Sequence, residues 1–282
     1  ASVERHTGWL PRPYVLHLHG TDARTHQYDP RLGPQVRRAI DRAAAVLYST
    51  PDLAPHVRRD GAELLPSPID TAALPPWGPA VRPRVVFPSR WSAVKGLDVQ
   101  LAVVRHLRDW CGQDVDLVGI NWGEGAPAAR TAGVRLVERL PHVGFQQLLS
   151  TAHVAVGQPT GMLAVSELEA LGIGVPVVAP LNPVWYNDGA PVPPVAGGLA
   201  LGEAHALPPQ DRETSRTPPL SPHEVDELGS SIGEIVLRTL EVPALAEEVK
   251  TRRLWVASEH GVERAVDRLV QLYERIMDSR RH

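Results

Sequence analysis

Arg90 and Lys95 stand five positions apart in "SRWSAVKGLDVQLAVV" (residues 89–104), just after the apolar run Val85-Val86-Phe87 and before a helical pattern. A guanidinium offers a planar fork of donors and an ammonium a compact charge, so together they suit an anion with several oxygens, such as a phosphate. Two solvated surface cations are the plainer reading, and only further residues of matching chemistry displace it. Such residues occur at "GQPTGMLAVSELEALGIGVPVVAP" (157–180), where a strand, a loop from Gln158 to Met162 and a helix follow one another. That construction aims backbone amides and the positive end of a helix dipole at an anion, and it puts the amides of Met162, Leu163 and Ala164 at the helix start. Glu169, further along the helix, is of a type that accepts from the two hydroxyls of a ribose. Glu167 lies about 200° away around the helix axis, so at most one of the two faces a cleft, and Glu167 reads as a surface acid.

The elements that must carry these residues are legible as alternation. "YVLHLHG" (14–20) reads as a strand running into a loop, followed by a helix in "LGPQVRRAIDRAAAV" with Val36 and Ile40 on one face, and by a second strand, "VLYS". "TPDLAPHVRR" reads as a helix with Thr50 as its cap and Pro51 at its first position, and "AELLPSPID" as a short strand stopped by prolines. Beyond the Pro-rich stretch 66–83 the alternation restarts: strands at 84–88, 115–119, 134–137, 153–157 and 175–179, and helices at 97–109, 126–132, 144–152 and 163–172. Alternating strands and helices imply parallel βαβ units, hence a doubly wound α/β sheet that takes ligands at the carboxyl ends of its strands, where Arg90 lies. A second Pro-rich stretch, 180–222, reads as a connection. The closing "GVERAVDRLVQLYERIM" is an amphipathic helix with Val262, Ala265, Val266, Leu269, Tyr273 and Ile276 on its apolar side.

Composition narrows the class. The chain has 282 residues, a net charge of -3 and 22% charged residues, a balance that offers no large basic surface to a nucleic acid. No apolar run approaches the roughly 18 residues needed to span a bilayer, so membrane contact, if there is any, is expected to be peripheral. A single cysteine, Cys111, cannot close an intramolecular disulfide, which fits a reducing, cytoplasmic setting, and no neighbouring base marks it as a nucleophile. Trp91, beside Arg90, reads as packing rather than as a platform for a base. "VWYNDGAPVPP" (184–194) reads as a rigid loop without an assignable role.

A different chemistry is open to "HLHGTD". His17 and His19 alternate on a strand and share a face, with Asp22 close behind, a geometry that can begin a metal site of a hydrolase. It needs further ligands from later strands, and the remaining histidines are scattered. A hydrogen-bonded histidine facing the core is the bland counterpart.

Several motifs in order carry a resemblance. "FPSRWSAVKGLD", "SELEALGIGVPVVAP" and "WVASEHGVERAVDRLVQLYERI" together resemble the GT-B glycosyltransferases of family 4, and "LHLHGTDAR", "AAAVLYSTPDL" and "LLPSPIDTAAL" resemble the later part of that family's N-terminal lobe. The resemblance implies two Rossmann-like lobes: a partial, acceptor-side lobe over 1–79, a nucleotide-sugar-binding lobe over 80–257, and a helix over 258–282 that crosses back to the first lobe. It implies transfer of a hexose-type sugar from a UDP-, GDP- or ADP-type donor to a hydroxyl of a glycan, lipid or small molecule, with retention of configuration and with neither a metal nor a resident cofactor. By position, Arg90 and Lys95 match the pair that neutralises the donor diphosphate, Glu169 the second Glu of an E-x7-E signature that holds the ribose, and Leu163 and Ala164 the backbone that approaches the phosphates. His19 matches a first-lobe histidine facing the donor sugar. Gly161 occupies the first Glu position of the signature, and the resemblance leaves Gln158 or loop amides to contact the sugar there. A catalytically silent nucleotide-sugar binder of the same fold stands as the alternative, together with the metal-dependent hydrolase. The prolines of 75–83 are the expected hinge between lobes.

Overall fold

The structure is a computed structural model, and it describes residues 13–187, 190–198, 220–242 and 244–279. Two parallel sheets organise it. The first lobe holds β1 (Val15–Leu18), β2 (Ala45–Tyr48) and β3 (Glu63–Leu64) in the order β1-β2-β3. The second holds β4 (Arg84–Phe87), β5 (Asp116–Ile120), β6 (Arg135–Val137), β7 (Val154–Val156) and β8 (Val177–Val178) in the order β6-β5-β4-β7-β8. In that order the chain leaves β4 in one direction for β5 and β6 and returns to its other side for β7 and β8. The crevice between the ends of β4 and β7 is therefore the topological switch point, where open α/β sheets receive ligands.

In the first lobe α1 (Gly20–Arg24) follows β1, α2 (Gly33–Arg42) precedes β2, and α3 (Ala54–Val57) precedes β3. Val36 and Ile40 of α2 pack with Leu18, Val46, Leu53 and Val57, so the face expected from spacing is the face that is buried. The helix expected from Thr50 is shorter than its pattern. Pro51–Leu53 form a 3-10 turn that runs into α3, and Thr50 makes no side-chain cap, its hydroxyl being buried without a partner. Pro55 has no N–H to donate back to Pro51, so the turn closes instead through the amide of Ala54 onto Pro51, one residue tighter than an α-helix.

The second lobe sandwiches its sheet. On one face α4 (Leu97–Cys111) and α9 (Pro222–Glu241) bury Val99, Val103, Leu107, Ile232 and Val236 with Val85 and Phe87. On the other, α6 (His142–Ser150), α7 (Val165–Ile173) and α10 (Ala246–His260) bury Leu149, Leu168, Leu171 and Val256 with Val86. The helix α9 is absent from the periodicity reading, although Ser221 with Glu224 forms a capping box and Pro222 suits a first turn. It lies close on α4, because Gly229 and Gly233 have no Cβ where one would come within 2.4 Å of Ala102 and His106. The short helices α5 (Ala126–Thr131) and α8 (Pro183–Asn187) complete the layer of connections.

The terminal helix starts later than residue 258. Ser258 belongs to the last turns of α10, the chain bends at Gly261, and α11 (Val262–Asp278) makes the crossing. There Leu272 packs with Leu47 and Leu65, flanked by Ala265, Leu269 and Ile276, and Arg275 pairs with Glu63. The prolines of 75–83 are likewise not the free link: Trp77 Nε1 donates to Ala152 at 2.7 Å, and the amides of Gly78 and Ala80 donate to Ser150 and Thr151. These bonds attach residues 77–80 to the second lobe. The two passages of the chain between lobes meet instead at Ile69, whose amide donates to His260 at 2.7 Å beside Gly261.

Candidate functional site

The site grows from the ends of β4 and β7. Past β4 the chain turns through Ser89, Arg90 and the fully buried Trp91, whose ring packs 5.3 Å from that of Phe87 and against Gly119. Trp91 is thus a wedge under the loop, and its amide donates to Trp122 at the end of β5. Lys95 comes next, half-buried, with Nζ donating at 2.6 Å to Gln158 Oε1 in the loop after β7. Burial pushes its ammonium below the ordinary lysine value; the carboxylate of Glu167 opposes that shift, and the charges of Arg24 and Arg90 add to it.

Gln158 is itself fully buried and passes the contact on, with Nε2 donating to the Met162 carbonyl at 3.2 Å. It is a spacer for Lys95 and the loop rather than a group presented to a sugar. Gly161 sits at φ 83°, where a side chain is strained, and its carbonyl accepts from the Asn182 amide at 2.8 Å. The glycine at this position follows from the backbone, which turns left-handed in order to pair with Leu181.

Two of the three amides expected to face outward do not. Leu163 N–H donates to the Tyr186 hydroxyl at 3.0 Å, and Ala164 N–H to Glu167 Oε2 at 3.1 Å. The helix begins only at Val165, so Met162, Leu163 and Ala164 belong to the loop, and two of their three amides have partners already. Tyr186 comes from the "VWYN" segment that the sequence left without a role, and burial pushes its phenol up to about 12, so it stays a neutral donor and acceptor.

Glu167 reverses its reading. It is wholly buried, and its carboxylate accepts from the amides of Gln158 and Ala164 and from the hydroxyls of Ser89 and Ser166. Through these four bonds it joins both loops to the start of α7. The available signal was its place at the third position of α7, from which a Glu can reach back to the N-cap amide. Glu169 is also buried, with Oε1 2.5 Å from His142 Nε2 and accepting from Gln146 Nε2 at 2.8 Å. The two acids lie on different sides of α7, as helical geometry requires, yet neither is on the surface.

From the first lobe, His19 precedes α1 and is exposed, and its ring lies 4.6 Å from that of His17. His17 is half-buried and bonds the Leu65 carbonyl through Nε2 at 3.1 Å, and burial lowers its basicity. Among the described residues no three His, Cys, Asp or Glu side chains gather as a metal site, around His17 and His19 or elsewhere. Two residues that spacing did not single out do reach the cleft. Arg24 of α1 pairs with the buried Asp52 and directs Nη2 to Met162 Sδ at 3.3 Å, across the boundary between lobes. Trp122, 45% exposed at the end of β5, has Arg90 5.7 Å and Arg139 4.6 Å from its ring centre.

At the switch point Lys95 thus meets the loop 158–162 through Gln158, and Arg90 stands 5.7 Å from the partly exposed indole of Trp122. No protein-family model matches the sequence, and no curated protein does. Solved structures do match. A sucrose-phosphate synthase from Thermosynechococcus elongatus shares 18% identity over 98% of this chain and 70% of its own, with a TM-score of 0.65. S. aureus TarM, solved with UDP, shares 13% over 93% of this chain and 50% of its own at 0.62, so this chain spans half of its length. Anabaena HepE, solved with UDP and glucose, shares 15% over 93% and 72% at 0.58. These likenesses establish the class: the chain has the two-lobed GT-B fold of glycosyltransferases. Among the described residues no helix is long and apolar enough to cross a membrane.

Proposed function

We propose that the protein is a glycosyltransferase that moves a sugar from a nucleotide donor to an acceptor hydroxyl with retention of configuration, as in family 4. The observation that carries this is Lys95, an ammonium held half-buried by Gln158 at the switch point beside Arg90. A desolvated charge there is costly unless an anion meets it, and a departing nucleoside diphosphate is the anion that the fold's other members, TarM and HepE, were solved with as UDP. In the reaction the leaving diphosphate takes the acceptor's proton on the face where the acceptor attacks, and Arg90 and Lys95 stabilise the charge that develops on it. No metal has a part in this scheme. Glu169 takes the ribose hydroxyls after giving up His142, Trp122 stacks on the base, and His19 faces the sugar. Leu163 and Ala164 approach the phosphates only if Tyr186 and Glu167 release their amides. UDP, GDP and ADP donors, a hexose, and glycan, lipid or small-molecule acceptors all remain within the reading, as does a cytoplasmic setting.

Titration calorimetry of the full chain with UDP, GDP and ADP tests it, alongside Arg90→Ala and Lys95→Ala. Base-selective binding that weakens at least tenfold in each variant, with unchanged thermal midpoints, is the expected result. Binding also falls as pH rises through the depressed Lys95 value, because the empty site loses the ammonium that the diphosphate needs. A folded chain that binds none of the three overturns the reading. A silent nucleotide-sugar binder is favoured by one observation, the left-handed Gly161 in place of a sugar-contacting Glu; binding without sugar transfer or donor hydrolysis selects it.

A further inference from the structure

The two cations of the second lobe face a third across the cleft. Lys95 donates to Gln158, Gln158 donates to the Met162 carbonyl, and Met162 Sδ accepts from Arg24 Nη2 at 3.3 Å. Lys95 and Arg24 therefore flank the same loop from opposite lobes. A thioether is a weak acceptor for a guanidinium, and a phosphate oxygen in its place forms a charge-assisted bond of roughly twice the strength of a neutral one. Asp52, more than nine-tenths buried, pairs with Arg24 through Oδ2 and leaves Oδ1 buried without a partner. That oxygen is an acceptor and has nothing to offer a phosphate, so what the pocket presents to an anion is the guanidinium alone.

We propose that Arg24 is a third cation for the anion of Arg90 and Lys95, so that the first lobe grips the diphosphate of the donor directly. This rests on the functional reading above and adds to it a ligand from the opposite lobe. The electrostatics agree: after burial, which is the main cause, the charges of Arg24 and Arg90 both lower the Lys95 value, so the three groups share one field. The three cations outnumber the two carboxylates beside them, Asp52 and Glu167, so the local field favours an anion. Because Arg24 rides on the other lobe, the same anion would hold the cleft closed, and affinity for the diphosphate would be coupled to closure.

The competing account makes the Arg24–Asp52 pair only a tie between α1 and the loop after β2. Calorimetry with whichever nucleoside diphosphate the wild-type chain binds, and with the corresponding nucleoside, separates the two. Arg24→Ala is expected to weaken the diphosphate about tenfold and leave the nucleoside unchanged, with Arg24→Lys recovering part of the loss. Asp52→Asn removes the pair but keeps the guanidinium, so it leaves the diphosphate affinity equal or higher. A tie would make Asp52→Asn lose as much as Arg24→Ala, and that result, or an Arg24→Ala chain that binds like wild type, overturns the proposal while leaving Arg90 and Lys95 in place. If Arg24→Ala does not fold, Arg24→Lys with Asp52→Asn decides on the same terms. A wild-type chain that binds no diphosphate overturns both this proposal and the functional reading.

Discussion

The two lobes solve the same architectural problem with different reserves. In the second, β4 and β7 are central strands whose side chains are buried on both faces, and Val85, Val86, Phe87, Val154 and Ala155 have no exposure at all. In the first, three of the four residues of β1 are only half-buried, β3 is two residues long, and a helix from the far end of the chain closes one face. A parallel sheet is stable when both faces are covered. The second lobe covers its own, whereas the first borrows α11, so the lobe that carries Arg24 and His19 is secured by the last helix of the sequence. That makes the cleft a joint between a half that covers its own sheet and a half held by a strap.

The second lobe should show the largest loss. Trp91→Ala removes a fully buried ring packed on Phe87 and Gly119 and should cost about 3–5 kcal/mol; hydrogen exchange should then rise throughout β4 and β5, and a loss confined to β1–β3 would mean that the second lobe is not the stable core. Leu272→Ala removes the contact of α11 with Leu47 and Leu65 and should cost about 3 kcal/mol. Its exchange should quicken in β1–β3 while β4 and β7 stay protected, and uniform quickening would show that the lobes unfold as one.

Acid sharpens the picture at the junction. His260 lies beside the crossing, and burial lowers its pKa from 6.5 to about 4. Between those values the unfolded chain binds the proton and the folded one does not, so stability is intact above pH 6.5 and is lost as pH falls towards 4, by at most about 3 kcal/mol from this group. Urea midpoints across that window should drop less for His260→Gln; equal drops would remove the histidine from the account. The smallest effect tests the loop. Gly161→Glu restores the residue type of the E-x7-E signature but forces a side chain to φ 83°, at a cost of about 1–2 kcal/mol. It should lower the thermal midpoint slightly and gain no donor affinity, and a gain would show that the loop yields.

The reasons for what was legible differ by residue. Arg90 and Lys95 were visible because they follow a strand end at a helix-starting spacing, and the chain's own order puts them at the crevice. Glu167 was misread because amphipathicity alone cannot distinguish a surface acid from one that accepts four hydrogen bonds inside two loops. Leu163 and Ala164 were misread because an amide at a helix start is free only if no side chain from elsewhere claims it, and Tyr186, 23 positions away, claims one. The helix α9 was hidden by the prolines ahead of it, although its capping box was present in "SPHE".

What the sequence determined by itself was local and periodic: which runs become strands, that strands alternate with helices and so lie parallel, and which turns carry cations. Backbone propensity and the burial of every second or every third and fourth side chain act over a few residues, so they can be read without a partner. Only the tertiary structure decided which groups meet across distance: Arg24 with Met162 between lobes, Glu167 with both loops, the passages of chain joined at Ile69 and His260. Those contacts depend on where packing sets two elements relative to each other. Hydrogen bonds lapse over a few tenths of an ångström, a precision that no local pattern encodes.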